Sequence, residues 1–314
     1  MCLQLTETAP AERMDQSMGR SLPQLHRSRL PLFAAGVLLA ASSAAAAPAT
    51  QRVEKQFNVT GRPVVVIHNV ASGRIEVKSW KNTHQVDIVG TQSSNKIAFE
   101  IDQVGDRVDV NANILDASAQ PIELEANLQL TVPEETELQL KTETGLIYVE
   151  QVNGDMKLES YGGEVHLKEV SGYVIVKTTS GSLICTQCAG KLDFSSISGN
   201  AQLLQPQLNN VNVMTTTGNI LFDGAFVRTG LYSMRSGKGL VEVRFSSNDS
   251  FDLQAQTSTG FVDNRAADFL KPDNHKVRSY ASKVIHGFVG TVGAGLAKVE
   301  LSSYSGTIRI MRRD

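Results

Sequence analysis

From position 144 onward, apolar and polar residues alternate in short runs punctuated by glycine. Gly stands at 145, 154, 163, 172, 181, 190 and 199, seven times at a spacing of nine. Stacked in register, the units are 144–152, 153–161, 162–170, 171–179, 180–188, 189–197 and 198–206. Their fourth positions are Ile147, Met156, Val165, Val174, Leu183, Leu192 and Ala201; their sixth are Val149, Leu158, Leu167, Val176, Cys185, Phe194 and Leu203. Apolar columns at four and six, with mostly polar residues at three, five and seven, have the period of two that turns one strand face inward. The ninth position is again mostly apolar (Val152, Tyr161, Val170, Ile197), which implies a bend that brings another side chain into the core. Gly at position two is then expected to supply backbone freedom at each corner.

Two nonapeptides make one flattened coil, each strand pairing with the strand 18 residues on. The pattern persists through Thr217-Gly218, Ser236-Gly237, Thr259-Gly260 and Ser305-Gly306, with spacings that drift to 19 and 23, so later coils are expected to be wider. An early echo, Ser72-Gly73-Arg74-Ile75-Glu76-Val77, lies among strand-like runs at 64–68, 85–90, 97–103, 107–112 and 123–132, the last ending at Pro133. No amphipathic helix is expected after residue 49. The predicted fold is all-β: a two-faced parallel β-solenoid of about 18 to 23 residues per coil over 143–314, capped by an N-terminal β-strand region over 50–142.

The N-terminus carries an address. Arg27 and Arg29 precede the apolar run from Leu30 to Ala41, and small residues lead to Ala47-x-Ala49, the order of a secretory signal peptide over 1–49. The run is shorter than the roughly 20 residues of a membrane span, so no stable span is expected after cleavage, and the protein is expected to be exported, periplasmic or extracellular. Lys and Arg number 30 against 32 Asp and Glu. That balance gives no electrostatic footprint for nucleic acid.

The line from Val132-Pro133 through the Ser/Thr-Gly-x-Ile/Val repeats to Ser305-Gly306-Thr307-Ile308 resembles the bacterial putative-adhesin family of β-strand-repeat proteins, over roughly 55 to 312. The resemblance implies an exported or envelope-attached β-solenoid and brings no catalytic residue to carry over. The membrane anchor and the zinc-ribbon or helical extensions of some relatives are not expected in this chain.

Calcium-binding β-rolls place carboxylates at every turn, but here Asp has no column. Cys185-x-x-Cys188 has no second cysteine pair to complete a zinc site and no thioredoxin-like surroundings, so it reads as a buried thiol pair or a local disulfide. No His spacing matches a metal motif, and no cofactor or metal site is expected. The predicted ladders stack Glu150 over Lys168 and Thr186 on one face, and Glu159 over Lys177 and Ser195 on the other. Such exposed pairs read as structural.

Two candidate binding surfaces remain. One is the outward column Tyr148, His166, Ile184 and Gln202. The other is the basic stretch within 264–286 that carries Lys271, His275, Lys276 and Arg278. The sequence therefore reads as a non-enzymatic structural or adhesin-like element of the cell envelope that contacts a protein or a carbohydrate. The alternatives are a glycan-active β-helix enzyme using Asp249, Asp252 and Asp263, and an envelope regulator that binds a partner protein.

Overall fold

The computed structural model describes residues 51–81, 84–272 and 286–313, so the expected signal peptide lies outside the described residues. Strands fill two sheets, one of twelve strands and one of thirteen. The one helical element among the described residues is a three-residue 3-10 turn, Pro121–Glu123. There the Glu123 carboxylate accepts from the Gln120 amide and from Lys96 Nζ, so the strand read over 123–132 instead begins at Ala126.

The columns behave as the period of two requires. Val165 lies in one sheet between Ile147 and Leu183, and Val174 lies in the other between Met156 and Leu192, all in parallel register. Fourth and sixth positions of both sheets point inward and form one continuous core, from Val65 and Ile67 to Ile308 and Ile310. Each buried Leu, Ile, Val or Phe contributes roughly 1.5–3 kcal/mol before the entropy of ordering is set against it. Past position 206 the core also holds a cluster of rings: Phe222 stacks on Phe226 at 4.7 Å, and Tyr232, Phe245 and Phe251 complete it.

The drift in spacing has a local cause in one case. Pairing slips between Gly190↔Leu208 and Lys191↔Asn210, so Asn209 is the extra residue of a bulge and the next register step grows by one. Further on, chain order and stacking order part company. The strands Ala297–Ser303 and Thr307–Arg312 insert between the coil of Leu231–Ser236 and Val241–Phe245 and the coil of Phe251–Thr257 and Phe261–Asn264. The interval of 23 between Gly237 and Gly260 is therefore not one coil step.

The other end is arranged the same way. Val64–Asn69 and Gly73–Trp80 pack directly on Glu137–Thr142 and Gly145–Glu150, with Gly73 opposite Gly145, while Arg107–Ile114 and Ala126–Pro133 lie outside them. Both sheets thus run without interruption through position 142. Antiparallel strands cover the ends: Gln51–Asn58 on Gln85–Gln92, Ile97–Val104 on Arg107–Ile114, and His286–Val292 on Phe251–Thr257. Covered ends leave less parallel edge open to another chain.

The two corners differ, and they correct the single corner expected from sequence. Where the chain leaves the first sheet, Gln151, Glu169, Gln187 and Gln205 adopt left-handed backbone with φ between 50° and 58°, and the next residues, Val152, Val170 and Cys188, are buried. Gly172 (φ 119°) and Gly190 (φ 94°), which open the following strands, need glycine for their conformation. At the opposite corner, Gly163 and Gly181 have no positive φ. They are glycine for want of space: a Cβ on Gly163 would stand 1.6 Å from the Gly145 carbonyl oxygen, and one on Gly181 1.9 Å from that of Gly163.

A candidate binding surface along one corner

That second corner is built from a repeated device. Seven times a Ser or Thr precedes a Gly by three residues and its hydroxyl bonds that glycine: Ser160 with Gly163, Thr178 with Gly181, Ser196 with Gly199, Thr215 with Gly218, Ser236 with Gly239, Thr257 with Gly260 and Ser303 with Gly306. The hydroxyl satisfies a backbone group that the turn would otherwise leave unpaired. The residue after each hydroxyl then faces outward. This is why ninth-position Tyr161 and Ile197 are 64% and 59% exposed whereas Val152 and Val170, at the other corner, are buried.

Ladder bonds fix the order of this outward ridge. Thr179 donates its amide to the Tyr161 carbonyl, Ile197 to Thr179, Thr216 to Ile197, and Tyr304 to Gly237. Beside the ridge runs the outward column Lys141, Glu159, Lys177, Ser195, Met214 and Arg235 of the second sheet. Between ridge and column lie two open grooves: one of about 350 Å³ at Tyr161 and Glu159, and one of about 480 Å³ at Tyr304, Met214 and Arg235. Tyr304 is 64% exposed and Met214 54%. The floor is the row of hydroxyl residues. Thr142, at one end of it, has the one buried side-chain oxygen without a hydrogen-bond partner among the described residues.

The residues singled out from sequence lie elsewhere. Tyr148, His166, Ile184 and Gln202 do stack in one column of the first sheet, but all except Gln202 are half-buried and the polar members are already engaged. The Tyr148 hydroxyl donates to Glu150 Oε2 at 3.0 Å, and Arg74 and Lys78 stand 5.7 Å from its ring centre. Burial, then the bond to Glu150, raises the Tyr148 pKa. His166 Nε2 pairs with Glu164 at 2.9 Å. Lys168 donates to Glu150 at 2.6 Å, which holds the Glu150 carboxyl below its ordinary value and raises Lys168. On the other face Glu159 sits beside Lys177 in register, and its carboxyl is held low chiefly by Lys157.

Cys185 and Cys188 are both fully buried and joined as a disulfide, with Cα atoms 6.0 Å apart. The backbone of Lys271 opens the short strand Lys271–Pro272 at the end of the second sheet, whereas His275, Lys276 and Arg278 lie outside the described residues. The three carboxylates considered for glycan cleavage are not brought together. Asp249 is buried and accepts the amides of Phe226 and Ser246. Asp252 pairs with Lys298 on the second sheet, and Asp263 with Arg265 and Arg309 on the first. Among the described residues no three His, Cys, Asp or Glu side chains group to hold a metal ion, and no helix is long and apolar enough to cross a membrane.

No curated protein matches the chain. Structural neighbours include a putative cell adhesion protein from Clostridium sporogenes ATCC 15579, at 10% identity and a TM-score of 0.30, covering 84% of this chain and 100% of that one. A putative adhesin from Bacteroides fragilis NCTC 9343 shares 12% identity at a TM-score of 0.47, covering 85% and 99%. A putative lipid binding protein from Parabacteroides distasonis ATCC 8503 shares 9% identity at a TM-score of 0.26, covering 84% and 97%. The Toastrack DUF4097 family model matches residues 64–311, most of the paired sheets, and the chain belongs to that family.

Proposed function

We propose that this protein is a non-enzymatic, adhesin-like element of the cell envelope, exported by its N-terminal leader, that presents a rigid two-sheeted surface to a partner. The observation that carries the reading is the state of the outward side chains. Carboxylates on both sheets are engaged by neighbouring cations, as in Glu150 with Lys168 on the first and Asp252 with Lys298 on the second, which leaves a regular scaffold instead of a reactive pair. Rigidity comes from ladder bonds that run through every coil, so contact residues are held in place before a partner arrives, and less ordering entropy is lost on binding. The test is a glycan and peptidoglycan-fragment array probed with purified protein, followed by mass spectrometry of each bound spot. Binding without conversion is expected; shortened or unsaturated products would refute the non-enzymatic reading.

A further inference from the structure

We infer that the two grooves along the Ser/Thr-x-x-Gly corner are the ends of one binding site for a linear, uncharged β-linked glycan lying parallel to the solenoid axis, with Tyr161 and Tyr304 as its stacking platforms. The inference rests on the adhesin-like reading and gives it a site and a ligand class.

Backbone chemistry rules out the commonest alternative. A peptide added as a strand needs free amides and carbonyls, but along this ridge they are used between coils: Thr179 to Tyr161, Ile197 to Thr179, Thr216 to Ile197, Tyr304 to Gly237. Recognition must therefore come from side chains. Those on offer are two exposed phenol rings, Ile197 and Met214 between them, and hydroxyl-rich turns. Rings that present an apolar face with a polar tip suit pyranose units, which have the same duality.

Repeat distance supports the same class. Successive coils stand about 4.8 Å apart, and a β-1,4-linked pyranose unit advances by nearly the same step with neighbouring units turned over, so equivalent sugar faces recur close to every second turn. One face of an extended peptide repeats only every ~6.8 Å and drifts out of phase. Five coil steps separate Tyr161 from Tyr304 by way of Thr179, Ile197, Thr216 and Gly237, a span of about 24 Å. Charge selects among glycans. Three cations, Lys141, Lys177 and Arg235, stand beside two anions, Glu159 and Glu300, so the wall is close to neutral and offers a polyanion little attraction. Thr142, whose buried hydroxyl lacks a partner, lines the end of the groove at Tyr161.

The test is calorimetric titration of the purified protein with chitin and cellulose oligomers from dimer to hexamer. Affinity is expected to rise with each added sugar until the oligomer bridges both tyrosines. Tyr161→Ala and Tyr304→Ala should each weaken the longest oligomers roughly tenfold with unchanged melting temperature, and Tyr173→Ala, on the open sheet, should not. Full affinity in the Tyr161→Ala/Tyr304→Ala variant, affinity independent of length, or no binding of either oligomer series would overturn the inference. The adhesin-like reading would survive those outcomes if the array found another ligand, and would fall if the oligomers were cleaved.

Discussion

Gly162 and Gly163 are neighbours in one turn, yet alanine should have opposite effects at the two sites. At Gly163 the new Cβ would lie 1.6 Å from the Gly145 oxygen, 2.5 Å from its carbonyl carbon and 2.8 Å from its nitrogen, all backbone atoms that cannot rotate away. The adjacent coil must retreat by well over an ångström, which strains the ladder bonds beside it: Gly162 N to Glu143 O at 2.9 Å and Ile147 N to Glu164 O at 2.9 Å. Overpacking of this kind costs about 1–3 kcal/mol, and one weakened buried hydrogen bond adds about 1. The sum, roughly 2–4 kcal/mol, corresponds to a melting temperature lower by roughly 5–15 °C for a folded unit of this size.

At Gly162 the nearest atom to a new Cβ is the Ser180 hydroxyl at 3.7 Å, an ordinary contact, and its φ lies outside the left-handed region. Alanine there restricts only the unfolded chain and should stabilise by about 0.4–1 kcal/mol. Thermal unfolding followed by circular dichroism reads both variants. Amide exchange should localise the damage of Gly163→Ala to the turns at Gly145 and Gly181, since a solenoid couples each coil to its neighbours. A Gly163→Ala protein that melts with the wild type, or a Gly162→Ala protein as impaired as it, would refute the close-approach argument.

Three further outcomes are expected. Burial pushes the Tyr232 pKa up to about 12, so its stabilising contribution is complete below about 10 and is lost as pH rises through the folded value. Tyr232→Phe should flatten that alkaline loss and cost about 1–3 kcal/mol at neutral pH, because the Val227 amide and Leu208 carbonyl lose their partner; urea titrations at several pH values measure both. The Glu150 carboxyl, depressed by Lys168, stabilises above about pH 4.3 and loses that contribution as pH falls through its lower folded value, so Glu150→Gln should make the acid midpoint less steep. Replacing both Cys185 and Cys188 with Ala should leave the protein folded at a cost of about 2 kcal/mol, and with Ser should cost more, since both sites are fully buried and a hydroxyl there needs a partner; equal melting temperatures for the two double variants would contradict this.

The inserted coils bear on how such a molecule keeps its ends closed. Terminal repeats of a solenoid have one neighbour fewer and tend to fray. Here the first coil, with Gly73, and the last, with Gly306, each lie one step inside the stack and are held from both sides. Arg309, on the inserted last coil, reaches Glu242 on one neighbour at 3.1 Å and Asp263 on the other at 3.2 Å. Lys298 pairs with Asp252 on the opposite sheet. The final strands thus clamp the penultimate coil instead of trailing from it.

By itself the sequence determined the strands, the inward columns and the ladder of Glu150 beside Lys168. A period of two leaves only one way to bury Ile147, Val149 and their equivalents. It located Cys185 and Cys188 in the core for the same reason. It did not decide which coil stacks on which, because each of these glycine corners offers much the same close approach to its neighbour. Gly73 fits on Gly145 as well as Gly163 does, and Gly306 fits between Gly239 and Gly260. Nor did it separate Val152 from Tyr161, which share a position in the repeat but occupy opposite corners, one closed by left-handed backbone and the other by a hydroxyl bond to glycine. Only the pairing of distant strands settles those questions, since backbone ladders join whichever coils the whole chain can bring together, and with them the place of the exposed tyrosines along the groove.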